Sequence, residues 1–217
     1  ARALVILSRI NKFQVTEKQI ELFKGQHKTE EYKNINPFSL VPALVCEDGW
    51  SLTESVAIGR YLCSTQKLED RWYPADPRAR ARVDQFLSWH HTGLRAPCIA
   101  VFIAITFTKM ATGSVDDADV KEKVKALEKA LSMLEECFLK DRPFVATNEI
   151  SIADLWGACE VHQLTAAGYD ISKRHSLAAA WLSRVQQATQ PHFDDVSAFL
   201  KQFGSEHAYD FEKVMPE

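Results

Sequence analysis

Apolar residues recur at Ala3, Leu4, Ile6, Leu7 and Ile10, the spacing of one helix face, and predict a helix over residues 1–11 with no capping residue ahead of it. Gln14 to Leu22 alternates loosely and reads as a strand. Phe23 to Asn36 is polar, with Lys24, His27, Lys28 and Lys33, and reads as a loop with a short helix. Two short apolar runs follow, Ala43 to Val45 and Trp50 to Thr53. Cys46-Glu47-Asp48-Gly49 lies between them, and its Asp-Gly pair predicts a hairpin. Helical spacing returns at Val56, Ala57, Ile58, Tyr61 and Leu62. Lys67 to Pro77 is charged, holds Pro74 and Pro77, and reads as a linker.

Beyond the linker every periodic stretch is helical. Arg78 to about Met110 carries Val83, Phe86, Leu87 and Trp89, and Pro97 predicts a kink or local break within it. Asp116 to Leu139 is amphipathic through Val120, Val124, Leu127, Leu131, Leu134 and Phe138. Ser151 opens a helix to about Ala167: Ser151 and Asp154 fit a capping box, with Ile150 and Leu155 as its hydrophobic staple. Leu177 to Gln190 and Phe193 to Phe203 complete the pattern. The chain thus divides into an α/β domain (residues 1–66), a linker (67–77) and an all-α domain (78–217).

Composition narrows the class. The chain has 217 residues, 46% hydrophobic and 25% charged, with a formal net charge of −3. That charge gives no global basic field to recruit nucleic acid. No unbroken apolar run approaches ~18–20 residues, so no membrane span is expected. The N-terminus lacks the shape of a signal peptide. The five cysteines are scattered without a CxxC pair, which predicts reduced thiols, a cytoplasmic setting and no structural zinc. His90 and His91 are adjacent, point about 100° apart on a helix and make a poor metal pair.

The chemistry concentrates in Ser39 to Ile58. A helix start offers free backbone N–H groups and a partial positive charge, so Glu54-Ser55 at such a start can hold a ligand carboxylate beside the Ser hydroxyl. Glu54 can receive an ammonium group. The Val41 backbone beside Pro42 can pair with a peptide in strand fashion, and a cis Val41–Pro42 bond would aim it at the ligand. These groups suit a small peptide with free α-amino and α-carboxyl groups. The bland alternative for Glu54-Ser55 is a plain helix cap; Ser151 and Asp154 are read as capping alone.

Val41-Pro42 followed by Leu52-Thr53-Glu54-Ser55-Val56-Ala57-Ile58 resembles the glutathione-binding half of a glutathione transferase. Lys24-Gly25-Gln26-His27-Lys28, Trp72-Tyr73-Pro74, Ala79-Arg80-Ala81-Arg82-Val83-Asp84 and Ile150-Ser151-Ile152-Ala153-Asp154-Leu155 resemble the theta class, in family order along essentially the whole chain. The resemblance implies a thioredoxin-like first domain and an all-helical second domain with an electrophile pocket. It implies conjugation of glutathione to small hydrophobic electrophiles, no cofactor beyond glutathione as co-substrate, and a homodimer. It assigns His27, Lys28, Val41, Pro42, Glu54 and Ser55 to glutathione, and matches Arg95 to an arginine facing the active site. Ile99, Phe102, Ile103 and Phe107 are candidates for the electrophile wall. The family's first strand and its thiol-activating hydroxyl precede an Arg-Ala pair. Here that pair is Arg2-Ala3, so both are expected to be missing from the sequence, and no catalytic residue is assigned; Ser8 and Ser39 match nothing. Such a chain is expected to bind glutathione and turn over poorly. Two other classes stay open: an inactive binding or structural relative, and a peroxidase-like or reductase activity, which would need a nucleophilic Cys better placed than Cys46.

Overall fold

The computed structural model describes residues 1–215. The first helix, α1 (Arg2–Asn11), starts without a side-chain cap, as its sequence predicts, and buries Ala3, Ile6 and Leu7. Residues 13–21 are irregular and mostly exposed, where the alternation predicts a strand. A strand persists only where a neighbour takes up its N–H and C=O groups, and among the described residues none lies alongside. A short helix α2 (Glu30–Ile35) follows, capped by Thr29.

The hairpin forms as expected. β1 (Ala43–Val45) pairs antiparallel with β2 (Ser51–Thr53), Leu44 opposite Leu52. Its turn is closed by Gly49 N–H donating to the Cys46 carbonyl, and Gly49 takes φ 86°, a left-handed value that suits glycine. These two strands are the only ones among the described residues, so the α/β character of the first domain rests on one small sheet. The chain then enters α3 (Ser55–Thr65), whose Val56, Ile58, Gly59 and Leu62 are buried.

A continuous helix of 36 residues, Pro77–Thr112, leads into the helical domain. It comprises α4 (Pro77–His90), a π turn over His91–Arg95, α5 (Ala96–Ile103), a second π turn over Ala104–Thr108 and α6 (Lys109–Thr112). Asp76 caps it through the Ala79 N–H at 2.8 Å. Pro97 does not break the helix: the π turn just before it widens the coil, and the Ala96 N–H bonds the His91 carbonyl five residues back. By length and composition this helix could cross a bilayer, contrary to the sequence expectation of no such stretch. Its inner side chains, Val83, Phe86, Leu87, Leu94, Cys98 and Val101, belong instead to the common core.

Around it pack α7 (Asp117–Leu134), extended by a π turn over Glu135–Leu139, then α8 (Ile152–Ala166), α9 (Ser176–Ala188) and α10 (His192–Glu206). The capping box of α8 is present: the Asp154 carboxylate accepts from the Ser151 N–H at 2.9 Å, and also from Val145 N–H and Trp181 Nε1. Helix α8 is the hub. It is buried on nearly every side, and it touches α1, α4, α5, α9 and α10. Fully burying one large apolar side chain contributes roughly 1.5–3 kcal/mol, and Leu155, Val161 and Leu164 are all fully buried. Helix α1 leans on α8 and α10 more than on α3, so the two halves of the chain meet along α8.

Candidate active site

The cleft between α3 and the helical bundle measures about 320 Å³. On one side stand Leu40, Val41, Pro42, Glu54 and Ser55; on the other His90, His91, Arg95, Trp156 and Glu160. The structure therefore brings together Val41, Pro42, Glu54, Ser55 and Arg95. His27 and Lys28 sit on the turn Gln26–Lys28 and do not line the cleft. His27 is half-buried, with its Nδ1 buried and unpartnered, and Lys28 is exposed.

The Val41–Pro42 bond is cis, as is Gln190–Pro191. The approach to Pro42 is pinned from α2: the Tyr32 hydroxyl and the Asn36 Nδ2 both donate to the Leu40 carbonyl, at 2.8 and 2.6 Å. Glu54 adopts φ 66°, ψ 108°. A non-glycine residue there carries strain of about 1–3 kcal/mol. Its carbonyl accepts the Ile58 N–H at 3.0 Å and so starts α3, but its side chain caps nothing and is left exposed at the cleft. The plain-cap reading of Glu54 therefore has no hydrogen bond behind it.

Ser55 is tied across the domains. The Trp156 Nε1–H donates to Ser55 Oγ at 3.0 Å. An indole only donates, so Ser55 is the acceptor and its own O–H is left to donate into the cleft. Trp156 is held close to α3 because residue 59 is glycine; a Cβ there would lie 2.6 Å from the indole.

On the far wall the Glu160 carboxylate is buried in a mostly apolar helix. Its Oε1 is 2.6 Å from Arg95 Nη1 and 3.8 Å from His90 Nε2. Burial pushes the Glu160 carboxyl up, but His90 and Arg95 together outweigh it and hold it below the usual carboxylate range. Burial, and then His90, push His91 below the usual imidazole value. Cys159 also lines the cleft, but burial pushes its thiol up, which leaves it a poor nucleophile. Among the described residues no cluster of three or more His, Cys, Asp or Glu could hold a metal.

Sequence reasoning missed His90, His91, Trp156 and Glu160 as parts of the site. One signal was available: apart from the capping Asp154, Glu160 is the one charged residue in the near-continuous apolar run of α8, and a buried charge needs a partner.

Residues 4–65 match the N-terminal domain of glutathione S-transferases, and residues 97–188 match their C-terminal domain. The chain is 36% identical to glutathione S-transferase theta-1 of Mus musculus over 188 residues, covering 86% of this chain and 78% of that protein. It is 38% identical to glutathione S-transferase theta-2 of Homo sapiens over 192 residues, covering 86% and 76%. It superposes on the crystal structure of human glutathione transferase theta-2, in complex with glutathione and an unknown ligand, with a TM-score of 0.89 at 31% identity, over 99% of this chain and 87% of that one. Against the apo form of human glutathione-S-transferase T1-1 the TM-score is again 0.89, at 32% identity over 98% and 89%. The chain belongs to the glutathione S-transferase family. Within that family it is theta-class-like, with the family's small-sheet, thioredoxin-like first domain and all-helical second domain.

Proposed function

We propose that this protein is an enzyme that conjugates the thiolate of glutathione to small hydrophobic electrophiles. One observation carries the reading: Glu54 and Ser55, at the start of α3, share a cleft with Val41–Pro42 and with the cationic Arg95. Glu54 takes the γ-glutamyl ammonium. The Ser55 O–H and the α3 N-terminus take its carboxylate, and Val41 pairs with the peptide backbone. His27 and Lys28 reach the glycine carboxylate from outside the cleft. No cofactor beyond glutathione as co-substrate enters the scheme.

In the reaction the glutathione sulfur forms a C–S bond, the leaving group departs with the electron pair of the bond it breaks, and the thiol proton passes to solvent. A free thiol titrates near ~8.5, so nearby positive charge raises the thiolate fraction at neutral pH. Arg95 and the α3 N-terminus supply such charge. No described residue is given the task of donating a hydroxyl to sulfur: Ser55 serves the carboxylate, Ser8 donates to the Val5 carbonyl, and Ser39 does not line the cleft.

The electrophile lies further along the same long helix. Half-buried Ile99 and exposed Ile103 and Phe107 continue from Arg95, and Phe107 meets Phe23, Phe102 and Phe203 at ring-centroid distances of 6.0, 6.1 and 5.7 Å. These rings offer an apolar wall without polar selectivity. The division into residues 1–66, 67–77 and 78–217, a homodimer using the exposed Trp50 hairpin and α4, and a cytoplasmic location belong to the same proposal. The theta-class relatives favour conjugation over an inactive binding role. Exposed Cys137 and half-buried Cys46 lie away from the cleft, and burial pushes up the thiol of Cys159, which lines it, so the cleft offers a thiol-based reductase no reactive sulfur.

The test is direct. The protein is incubated with glutathione and a panel of alkyl and aryl halides, and thioether products are followed by mass spectrometry. Protein-dependent thioether formation is the expected result; product no faster than the uncatalysed background overturns the proposal.

A further inference from the structure

The far wall of the cleft contains a charge that the conjugation scheme leaves unused. Glu160 projects from the middle of α8, its side chain only 9% exposed. A carboxylate so buried is costly unless it is paired. Its Oε1 meets Arg95 Nη1 at 2.6 Å, while Oε2 is buried with no partner. His90 stands behind it, 2% exposed, with neither ring nitrogen hydrogen-bonded and Nε2 at 3.8 Å from the same Oε1.

Arg95 has the opposite character. It ends the π turn of the long helix with 48% of its side chain exposed, and the bond to Glu160 uses one Nη. Held only by its own backbone, a guanidinium on four rotatable bonds would sample many directions. Helix α8, in contrast, is rigid where Glu160 leaves it. Its start is locked by the capping box, Trp156 is wedged against Gly59, and the Gly157 Cα packs against Phe86 and Trp181. A fixed carboxylate facing a mobile guanidinium sets the guanidinium's direction. The Arg95 N–H groups not spent on Glu160 are left to face the cleft.

We propose that Glu160 is a positioning residue, anchoring Arg95 from α8 so that the N–H groups not bound to Glu160 face the bound anion. The proposal rests on the reading of the cleft as the glutathione site for its catalytic consequence, but the anchoring itself does not. Removing the anchor leaves the arginine present and misdirected. Misplacing a reacting or stabilising group by a fraction of its reach lowers turnover by about tenfold or more.

Two readouts test it. The first is rotation of the Arg95 guanidinium, followed by NMR on the 15N-labelled full chain and assigned by its disappearance in Arg95→Lys. Slow rotation in the unsubstituted chain that becomes fast in Glu160→Gln is expected; an Arg95 signal indifferent to Glu160→Gln overturns the proposal, whether or not the protein turns over glutathione. The second is a double-mutant cycle on kcat/KM with Arg95→Ala and Glu160→Gln. Each single variant should lose about tenfold, and the double variant should lose no more than Arg95→Ala alone. Losses that multiply show Glu160 acting apart from Arg95 and overturn the positioning role. Should Glu160→Gln not fold, Glu160→Asp, which withdraws the charge by one methylene, takes its place in both readouts with the same outcomes. Absence of turnover in the unsubstituted chain with anchoring intact sinks the conjugation reading alone.

Discussion

The Trp156 indole and the Ser55 hydroxyl, 101 residues apart in sequence, are joined by a 3.0 Å hydrogen bond that ties the helical bundle to the proposed glutathione cleft. Ser55 needs this bond as an acceptor, because accepting from the indole leaves its own proton to donate outward. Trp156→Phe removes the donor and keeps most of the ring. It should cost about 1–2 kcal/mol of stability in urea unfolding and weaken glutathione binding several-fold. Unchanged affinity in Trp156→Phe would show that the indole does not prepare Ser55.

Gly59 permits that contact. A methyl at this position would sit 2.6 Å from the Trp156 ring, and Trp156 is only 4% exposed, so it has little room to retreat. Gly59→Ala should destabilise by about 1–3 kcal/mol despite alanine's better helix propensity. A thermal unfolding midpoint equal to or above that of the unsubstituted protein would show that the indole moves freely.

How much of this was written in the sequence depends on the range of the interactions. The hairpin and the start of α3 were legible because Asp48-Gly49 and the apolar runs around them act locally. The capping box at Ser151 and Asp154 was legible for the same reason, and the structure shows it intact. The stretch Gln14–Leu22 was misread, since alternation alone makes no strand when no neighbour supplies hydrogen bonds. Of the two outcomes expected at Pro97, a kink or a local break, the break does not occur, because a π turn accommodates the missing N–H without ending the helix, and spacing does not reveal it. Val41, Pro42, Glu54, Ser55 and Arg95 share the cleft, whereas His27 and Lys28 lie outside it. Trp156 and Glu160 were hidden because an apolar helix looks like core from every side, and only the fold reveals which side meets α3.

Strain at Glu54 gives a separable test. With φ 66°, the residue sits where glycine is comfortable and glutamate is not. Glu54→Gly should leave stability unchanged or raise it by up to about 1 kcal/mol, while glutathione affinity falls at least tenfold through loss of the ammonium acceptor. A variant that is clearly less stable would mean that the Glu54 side chain supports the fold rather than the ligand.

His162 should set part of the acid limb of stability. Burial, followed by the charge of Arg2 and Lys201, pushes it down to about 4. The unfolded chain takes up a proton near the ordinary value of 6.5, whereas the folded chain does so only near 4. Stability is therefore lost as pH falls from 6.5 towards about 4, by about 1.4 kcal/mol per unit at most. His162→Leu, which keeps the packing against Phe193, should flatten that slope in urea titrations at pH 7, 6 and 5. An identical slope in the variant would assign the acid limb to other groups.

The central claim is that the start of α3 holds glutathione through Ser55 and Glu54, and calorimetric titration of glutathione into the full chain and into Ser55→Ala measures it most directly. Saturable one-site binding is predicted for the unsubstituted protein. Ser55→Ala should weaken it by about 1–3 kcal/mol, since a charged carboxylate loses its hydroxyl donor. Absence of binding by the unsubstituted chain, or equal affinity in Ser55→Ala, would contradict the account.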